Sequence, residues 1–393
     1  MKIAIVIERF EPWRGGAETS TNEITRLLAE RGHDVHVITT STMPSPPHLT
    51  VHQIPAARLL RPLRLGSFIR RTARFLRKNE FDVVHAVAPL PSATVYQPRG
   101  GLVAETLARN VATRSSRPRQ MLKQALQAVN VKKRALLELE REIFRPDGPT
   151  IAAVSQYVAD QCRRIYAAEA PRVRVIYNGV HIAEHDRKDA PAHRQSVRRQ
   201  YHVPDDTMLL LFVGHNFRLK GLAPLIETLS RLVVGGFDRF HLLVVGRDNA
   251  VGYWRRIQSL GLQTHVTFTG PTKRTSLFYF AADALVHPTY YDPCSRVVLE
   301  ALARGLPCIT TRYNGASELI TDGHDGFVID TPDDVGLWAR RIQELADPEL
   351  RRRISERALA LRPRLSMQRH VEGLCELYEQ CRAARRPQGQ LAT

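Results

Sequence analysis

Uniformly apolar segments that alternate with helical stretches constrain the fold of this chain more than any other feature. Ile3–Ile7 reads IAIVI and Met208–Val213 reads MLLLFV, without the polar alternation of a strand that is exposed on one face. Strands of this kind are buried on both faces, as parallel strands are. The chain is therefore predicted to adopt an α/β fold built on parallel sheets.

This alternation of strand and helix begins twice along the 393 residues. A β-loop-α-β unit opens the chain, and a second series starts at Met208, after a polar stretch at 183–201 that we interpret as a bridge. We predict two doubly wound, Rossmann-like domains, 1–182 and 183–365, with a final helix, 366–393, that returns to the first domain. A basic helical insertion is expected at about 102–145 of the first domain.

Composition and missing motifs exclude several classes of protein. The five cysteines are scattered and form no C-x-x-C pair, which is typical of reduced cytosolic thiols. There is no run of about 18 apolar residues and no apolar signal-peptide segment, so we expect a cytoplasmic protein without a membrane span. The motifs of zinc proteases, serine hydrolases and P-loop kinases are absent, as is the D-x-D pair that binds a metal-chelated nucleotide.

The stretch HPTYYDPCSRVVLEALARGLP, residues 287–307, is the most informative for chemistry. It predicts a strand end, a loop that holds Asp292, and a helix that begins near Pro293 and carries Glu300. The N-terminus of such a helix suits sugar hydroxyls or a phosphate. The carboxylate of Glu300 could accept two hydrogen bonds from a ribose diol. The alternative is that Asp292 caps the helix and Glu300 is a solvated helix residue.

Two further loops follow predicted strands. In VGHNFRLKG, Arg218 and Lys220 have the charge that a diphosphate needs, although they could also be ordinary surface cations. In RGGAE, Gly15 and Gly16 precede a helix, where paired glycines let a ligand approach the backbone. Since RGGAE is not G-x-G-x-x-G, an NAD site is not favoured, and a purely structural turn is the alternative.

Taken in order, these segments resemble glycosyltransferase family 4, the retaining GT-B enzymes that transfer a sugar from a nucleotide diphosphate. The resemblance is nearest to the bacterial lipopolysaccharide core α-glucosyltransferases, which use UDP-glucose. It implies two Rossmann-like domains that face a central cleft. The segments that carry it are GGAE, AVSQYVADQC, VIYNGV, FVGHNFRLKG, VVG, VTFTGP, AADALVHPTYYDPCSRVVLEALARGLPCITT and NGASELITDGHDGFVI.

The resemblance also implies roles for individual residues. Asp292 and Glu300 occupy the E-x7-E positions and would hold the donor sugar and the ribose, while Arg218 and Lys220 would bind the diphosphate. No metal and no cofactor besides the nucleotide sugar, expected to be UDP-glucose, are implied. The implied donor-binding residues are Gly15, Gly16, Glu18, Gly214, Gly246, Gly270, Pro293, Cys294, Ser295 and Val298. The implied acceptor-side residues are Gln97, Arg99 and Asn178.

The sequence departs from the family pattern at three places. Asp292 replaces the usual Glu and shortens the reach to the sugar by one methylene. His215 stands where many members have Arg, so the first cation would come from Arg218. The family often has a His at the end of a first-domain strand; here Gln97 or Arg99 would substitute, and His85 is an alternative or an ordinary strand residue.

The net charge of +18 is concentrated in the predicted first domain. Residues 58–78 contain eight basic residues and no acidic one, and residues 101–145 contain ten basic and four acidic ones. We interpret both stretches as a docking surface for an anionic glycolipid or lipopolysaccharide-core acceptor and for the inner leaflet of the cytoplasmic membrane. A solvated helix face is the alternative. Nucleic acid is not expected, because no recognition motif is present; a sugar-nucleotide epimerase or an inactive scaffold would also fit the fold.

Overall fold

The computed structural model describes residues 1–11, 15–41, 46, 48–56, 61–114, 116–168, 172–182 and 189–385, and for 61–63 and 385 only the backbone. The chain divides into two compact units. The first unit comprises Met1–Gly179 and Met367–Thr393, and the second comprises Val180–Ser366. The expected limits at 182 and 365 lie within three residues of these bounds.

In the first unit, the seven described strands form one parallel sheet in the order β3-β2-β1-β4-β5-β6-β7. The strands are β1 (Lys2–Val6), β2 (Asp34–Thr39), β3 (Thr50–Gln53), β4 (Val83–Ala86), β5 (Val95–Tyr96), β6 (Thr150–Ala153) and β7 (Val173–Val175). The helices up to residue 166 are α1 (Gly16–Glu30), α2 (Arg61–Arg77), α3 (Val103–Ala112), α4 (Arg117–Ala128), α5 (Val131–Ile143) and α6 (Gln156–Tyr166). The expected basic insertion is thus three helices, α3 to α5.

The second unit contains a parallel sheet whose six described strands have the order β10-β9-β8-β11-β12-β13. The strands are β8 (Met208–Val213), β9 (Phe240–Val245), β10 (Val266–Gly270), β11 (Ala284–His287), β12 (Cys308–Thr311) and β13 (Phe327–Ile329). The helices are α7 (Ala190–Gln200), α8 (Leu222–Val234), α9 (Val251–Ser259), α10 (Thr275–Ala281), α11 (Arg296–Leu302), α12 (Val335–Glu344), α13 (Pro348–Ala360) and α14 (Arg362–Leu365). A 3-10 helix spans Gly315–Leu319.

Both sheets have the strand order of a Rossmann fold, and the predicted α/β fold class is confirmed. In each sheet the order reverses beside the first strand, between β1 and β4 and between β8 and β11. Ligands of such folds bind at the carboxyl ends of the strands near this reversal. All six residues of β8 are buried, as its unbroken apolar sequence predicts.

The last helix of the chain, α15 (Met367–Arg385), is part of the core of the first unit. Val371, Leu374 and Tyr378 are completely buried and belong to one apolar cluster with Ile3 of β1 and Val83 of β4. The helix therefore covers the central strands of the first sheet, although it follows the second unit in sequence. Among the described residues, no helix combines the length and the apolar character that crossing a bilayer requires.

Two local predictions were wrong. The stretch 183–201, expected to be a polar bridge, includes helix α7, which packs on α10 within the second unit. Arg194 and Arg198 of α7 bind the two carboxylate oxygens of Asp283 at 2.9 and 2.6 Å, and these ion pairs fix the helix to the sheet. Residues 183–188 lie outside the described part. The helix expected near Pro293 begins three residues later, at Arg296.

The packing of α15 makes a testable contribution to stability. We expect Leu374→Ala to lower the unfolding free energy of the first unit by about 2–5 kcal/mol, because it leaves a cavity in the core. Hydrogen exchange of the β1 and β4 amides measures this loss separately from the second unit. Gln380→Ala, at an exposed position of the same helix, is the control. Unchanged protection of β1 in Leu374→Ala would contradict the assignment.

Candidate active site

The loops that follow β8 and β11 are tied together at the strand-order reversal of the second sheet. Gly221 has φ +79°, and a Cβ there would lie 1.8 Å from the carbonyl oxygen of Pro288. The carbonyl of Leu219 accepts hydrogen bonds from the Tyr290 N–H at 2.8 Å and from Thr289 Oγ1 at 3.1 Å. Glycine is required at 221 because no side chain fits between the two backbones.

This contact brings Lys220 to Asp292. Lys220 Nζ lies 2.5 Å from Asp292 Oδ2 and 3.4 Å from the carbonyl oxygen of Tyr291. Nε2 of His287, which is completely buried, lies 3.6 Å from the same Oδ2. Burial disfavours the ionised carboxylate, but the Lys220 ammonium and the His287 ring outweigh it and hold the pKa of Asp292 below its usual value. Asp292 is therefore a carboxylate at neutral pH, and Lys220 is its ion-pair partner.

Asn314 holds the backbone around Asp292 in place. The Asp292 N–H donates to the carbonyl of Tyr313 at 2.8 Å, and the Gly315 N–H donates to the carbonyl of Asp292 at 2.9 Å. Oδ1 of the buried Asn314 accepts the Ser295 N–H at 3.1 Å. The family resemblance implies that Ser295 binds the donor, but its backbone N–H donates to a side chain of the protein in this structure. Asn314 belongs to the NGASEL segment, one of the segments that carry the family resemblance, but that segment alone does not indicate its contact with Ser295.

The carboxylate of Glu300 lies in the second turn of α11 and has two partners within the unit. Tyr279 on α10 donates its hydroxyl to Oε2 at 2.9 Å, and Arg296 approaches Oε1 at 3.2 Å. Burial and the neighbouring carboxylate raise the pKa of Tyr279, which keeps this hydroxyl a donor. The Glu300 side chain is 23% exposed, so it is not the solvated residue of the alternative interpretation. Sequence reasoning missed Tyr279.

The structure gives Arg218 and Lys220 different surroundings. Arg218 is exposed and lines a groove of about 490 Å³ between α8 and α9. The other lining residues are Asn216, Ala223, Ile226, Asp248, Asn249, Gly252, Tyr253 and Arg256. His215, at the position of the missing family Arg, is exposed and accepts the Arg247 N–H at 3.3 Å. A shared role of Arg218 and Lys220 on one diphosphate stays a prediction.

Three expected donor-site glycines meet at the ends of neighbouring strands. The Gly214 N–H donates to the carbonyl of Val245, and the Gly246 N–H donates to the carbonyl of Gly270, both at 3.0 Å. Gly246 has φ +146°, and a Cβ there would lie 1.9 Å from the Gly214 oxygen. Close backbone approach therefore explains Gly246, whereas at Gly270 the positive φ of +76° is what favours glycine. The expected donor-site residues whose side chains are buried are Pro293, Cys294, Ser295 and Val298.

At the carboxyl edge of the first sheet, the three expected acceptor-side residues lie together. Arg99 donates to Gln97 Oε1 at 3.0 Å and to Asn178 Oδ1 at 2.7 Å. It also contacts the hydroxyl of Ser20 on α1. Gln97 follows β5 and Asn178 follows β7, so Arg99 connects two strand ends with the first helix.

Helix α15 supplies further polar side chains to this edge, which local sequence patterns did not indicate. His370 donates from Nδ1 to the carbonyl of Tyr177 at 2.6 Å, and its Nε2 lies 3.5 Å from Gln97 Nε2. His85 contacts the hydroxyl of Tyr378. Burial, aided by Arg99, lowers the pKa of His85 to about 3, so its ring is neutral.

The expected loop Gly15–Gly16 lies at the start of α1, on the same edge. Gly15 precedes the helix with an extended backbone, and no side chain in the described part of the chain caps the helix N-terminus. The Glu18 carboxylate folds back toward Gly15, with Oε2 3.1 Å from where a Cβ would be. Arg14, which precedes the two glycines in RGGAE, lies outside the described residues.

The ion pair of Asp292 predicts a pH dependence of stability. The folded-state pKa of Asp292 lies below its ordinary value of 3.8, so the ionised group stabilises the fold above that pH, and the stabilisation is lost on acidification. We expect the unfolding free energy of the wild type to fall more steeply from about pH 6 to pH 3 than that of Asp292→Asn, as measured by urea titration. Asp206→Asn, at a 69% exposed carboxylate, is the control. Parallel curves for wild type and Asp292→Asn would contradict the pairing.

Two family models match the chain, one in each half. Residues 14–184 match Glycosyltransferase Family 4, and residues 193–360 match Glycosyl transferases group 1. Among curated relatives, the lipopolysaccharide glucosyltransferase WaaG of Escherichia coli K12 is 26% identical over 84% of this chain and 86% of its own length.

Solved structures share the fold. The crystal structure of WaaG, a glycosyltransferase involved in lipopolysaccharide biosynthesis, has a TM-score of 0.80 at 23% identity and covers 96% of this chain and 99% of its own. Anabaena Alr3699/HepE in complex with UDP-glucose has a TM-score of 0.71 at 18% identity and covers 97% of this chain and 100% of its own. With the two family matches spanning both units, the chain belongs to the family 4 glycosyltransferases and has their GT-B fold.

Proposed function

We propose that this glycosyltransferase is a retaining, metal-independent hexosyltransferase. It transfers glucose from UDP-glucose to a hydroxyl of a lipopolysaccharide-core or related cell-envelope glycan, with no other cofactor. The observation that carries the proposal is the Lys220–Asp292 pair at the strand-order reversal, with Glu300 on the helix that follows. In this proposal the cation binds phosphate and the two carboxylates bind hydroxyls, at the strand edge where ligands of Rossmann-like sheets bind.

The proposed step is a front-side displacement. The bond between the sugar C1 and the oxygen of the β-phosphate breaks, and the acceptor oxygen forms its bond to C1 on the same face. The proton of the acceptor hydroxyl goes to an oxygen of the departing diphosphate, so no protein nucleophile is needed. Lys220 neutralises charge that develops on the diphosphate, while Asp292 and Glu300 orient the sugar and the ribose.

The choice of donor and acceptor is supported by the relatives. A relative that covers most of this chain is named for lipopolysaccharide glucosyl transfer, and a structure of the same fold contains UDP-glucose. A family 4 hexosyltransferase of exopolysaccharide or glycolipid synthesis with another donor is the alternative. A thermal-shift screen of UDP-, GDP- and ADP-sugars separates the two, because a ligand stabilises the fold by RT ln(1 + [L]/Kd).

Site variants test the proposed roles directly. We expect Lys220→Met to lower kcat for UDP-glucose roughly 100-fold or more, because it removes a charge that stabilises the leaving diphosphate. Glu300→Gln should mainly raise the KM for UDP-glucose, since a ribose contact is made equally in ground and transition states. Arg239→Met, at a 78% exposed position, is the matched control and should match the wild type.

Retained turnover in both Lys220→Met and Glu300→Gln would overturn the site assignment. The same assay with EDTA tests metal independence, and we expect no loss of rate. The anomeric configuration of the product, read by NMR, tests retention. Turnover that depends on added Mg²⁺, or an inverted product, would refute the corresponding part of the proposal.

The first unit carries the surface that we propose for an anionic acceptor and for the cytoplasmic face of the inner membrane. Basic helix α2 contacts α5, so the two basic stretches of the sequence meet on one side of this unit. Five apolar side chains of α4, its end and the start of α5 are 57–74% exposed: Met121, Leu122, Leu126, Val129 and Val131. Exposed apolar residues among basic ones are typical of helices that lie on anionic bilayers. Arg58 of this basic surface lies outside the described residues, as do the side chains of 61–63.

Vesicle binding tests this surface. We expect the protein to co-sediment with vesicles that contain anionic lipid and to dissociate as salt rises, because each basic residue near the surface contributes about 1 kcal/mol. The double variant Leu122→Asp/Leu126→Asp should bind at least tenfold more weakly. Val234→Asp, which alters an 86% exposed apolar residue of the second unit, is the control. Stronger binding to RNA or DNA than to vesicles would favour the nucleic-acid alternative instead.

A further inference from the structure

His287 is a buried polar side chain to which the proposed function assigns no role. It ends β11, its exposed fraction is zero, and neither ring nitrogen has a hydrogen-bond partner among the described residues. Leaving a buried donor without a partner destabilises a protein, and an apolar side chain would fill the same space. A histidine at this place therefore calls for a functional explanation.

The contacts around the His287 ring show which atom could accept a hydrogen bond from it. Thr310 Oγ1 donates to the carbonyl of His287 at 3.1 Å, and the ring lies 6.2 Å from that of Phe212 between centroids. These contacts fix the backbone and one side of the ring. Nε2 faces Asp292 Oδ2 at 3.6 Å, just beyond hydrogen-bond distance, and Lys220 Nζ occupies that oxygen at 2.5 Å.

The proposed function requires this arrangement to change. Lys220 would bind the donor phosphates and Asp292 the donor sugar, so their mutual contact must loosen when the donor arrives. A carboxylate that is 13% exposed then needs another donor for Oδ2. Only a shift of less than 1 Å separates His287 Nε2 from a hydrogen bond with that atom. Burial keeps the ring neutral, so the exchange adds no charge.

We propose that His287 is a positioning residue, which donates from Nε2–H to Asp292 when the phosphates of the donor draw Lys220 away. This inference rests on the proposed function. His287 does not touch the reacting atoms; it keeps the Asp292 carboxylate oriented toward the sugar during transfer.

The replacement of Lys220 by His287 as the hydrogen-bond donor to Asp292 can be observed by NMR without sugar transfer. In protein labelled with ¹⁵N-histidine, we expect the Nε2–H proton of His287 to move downfield and exchange more slowly when inorganic diphosphate is added. Lys220→Met should give the same signal with no diphosphate present, because Asp292 has then lost its other partner. A ring protonated at Nδ1, or an Nε2–H signal that is unchanged in Lys220→Met, would overturn the proposal.

Kinetics provide a second, independent test. His287→Phe should lower kcat for sugar transfer roughly 10- to 100-fold with little change in the donor KM, since a misplaced contact mainly affects the transition state. His287→Gln, whose amide N–H can replace Nε2–H, should recover most of the rate. In the Asp292→Asn background, His287→Phe should cause no further loss.

Equal losses from His287→Phe in the wild-type and Asp292→Asn backgrounds would overturn the positioning role. Failure of the proposed function looks different: the wild type would then not transfer glucose, or diphosphate would leave the wild-type Nε2–H signal unchanged. The signal of Lys220→Met still decides the inference about His287 in that case. If His287→Phe does not fold, His287→Gln and the ¹⁵N-histidine-labelled protein still test the proposal.

Discussion

The close approach of two loops in the second unit determines the candidate site. Parallel strands place their carboxyl ends side by side, but a side chain at 221 would separate the loops after β8 and β11 by steric clash with Pro288. Gly221 removes this obstacle, and the Leu219 carbonyl then accepts two hydrogen bonds from the facing loop. Lys220 lies between these two residues, and its Nζ contacts Asp292 Oδ2 in the facing loop.

The resulting ion pair explains how a charged site can be stable without its ligand. Asp292 and Lys220 are both largely buried, and each would be costly to bury alone. Their contact lowers the pKa of Asp292 and holds both side chains close to the positions proposed for phosphate and sugar. A donor therefore has to replace an existing interaction, and its negative diphosphate is suited to compete with a carboxylate for Lys220.

The sequence alone predicted the features that depend on local residue patterns. Buried apolar strands predicted both parallel sheets, and the order of motifs predicted the family. The structure pairs Lys220 with Asp292, while the donor-binding roles of these residues and of Glu300 stay predictions. The sequence could not reveal partners that only the tertiary fold brings together, such as Tyr279 for Glu300 or Asn314 for Ser295. Helix α7 was missed because its many charges and its proline resemble those of a linker, while its ion pairs to Asp283 depend on contacts far along the chain.

In the first unit, too, the polar contacts join residues that are far apart in the sequence. Arg99 joins Gln97, Asn178 and Ser20, which belong to three separate segments, and α15 adds His370 beside Gln97. The edge proposed for the acceptor is thus completed by a helix that follows the whole second unit in the chain. That helix also covers the core of the first sheet, and its packing there brings His370 beside Gln97. The basic helices α2 and α5 add charge to this unit but supply none of these polar contacts, so the proposed attraction of an anion and the proposed acceptor geometry would come from different parts of the same unit.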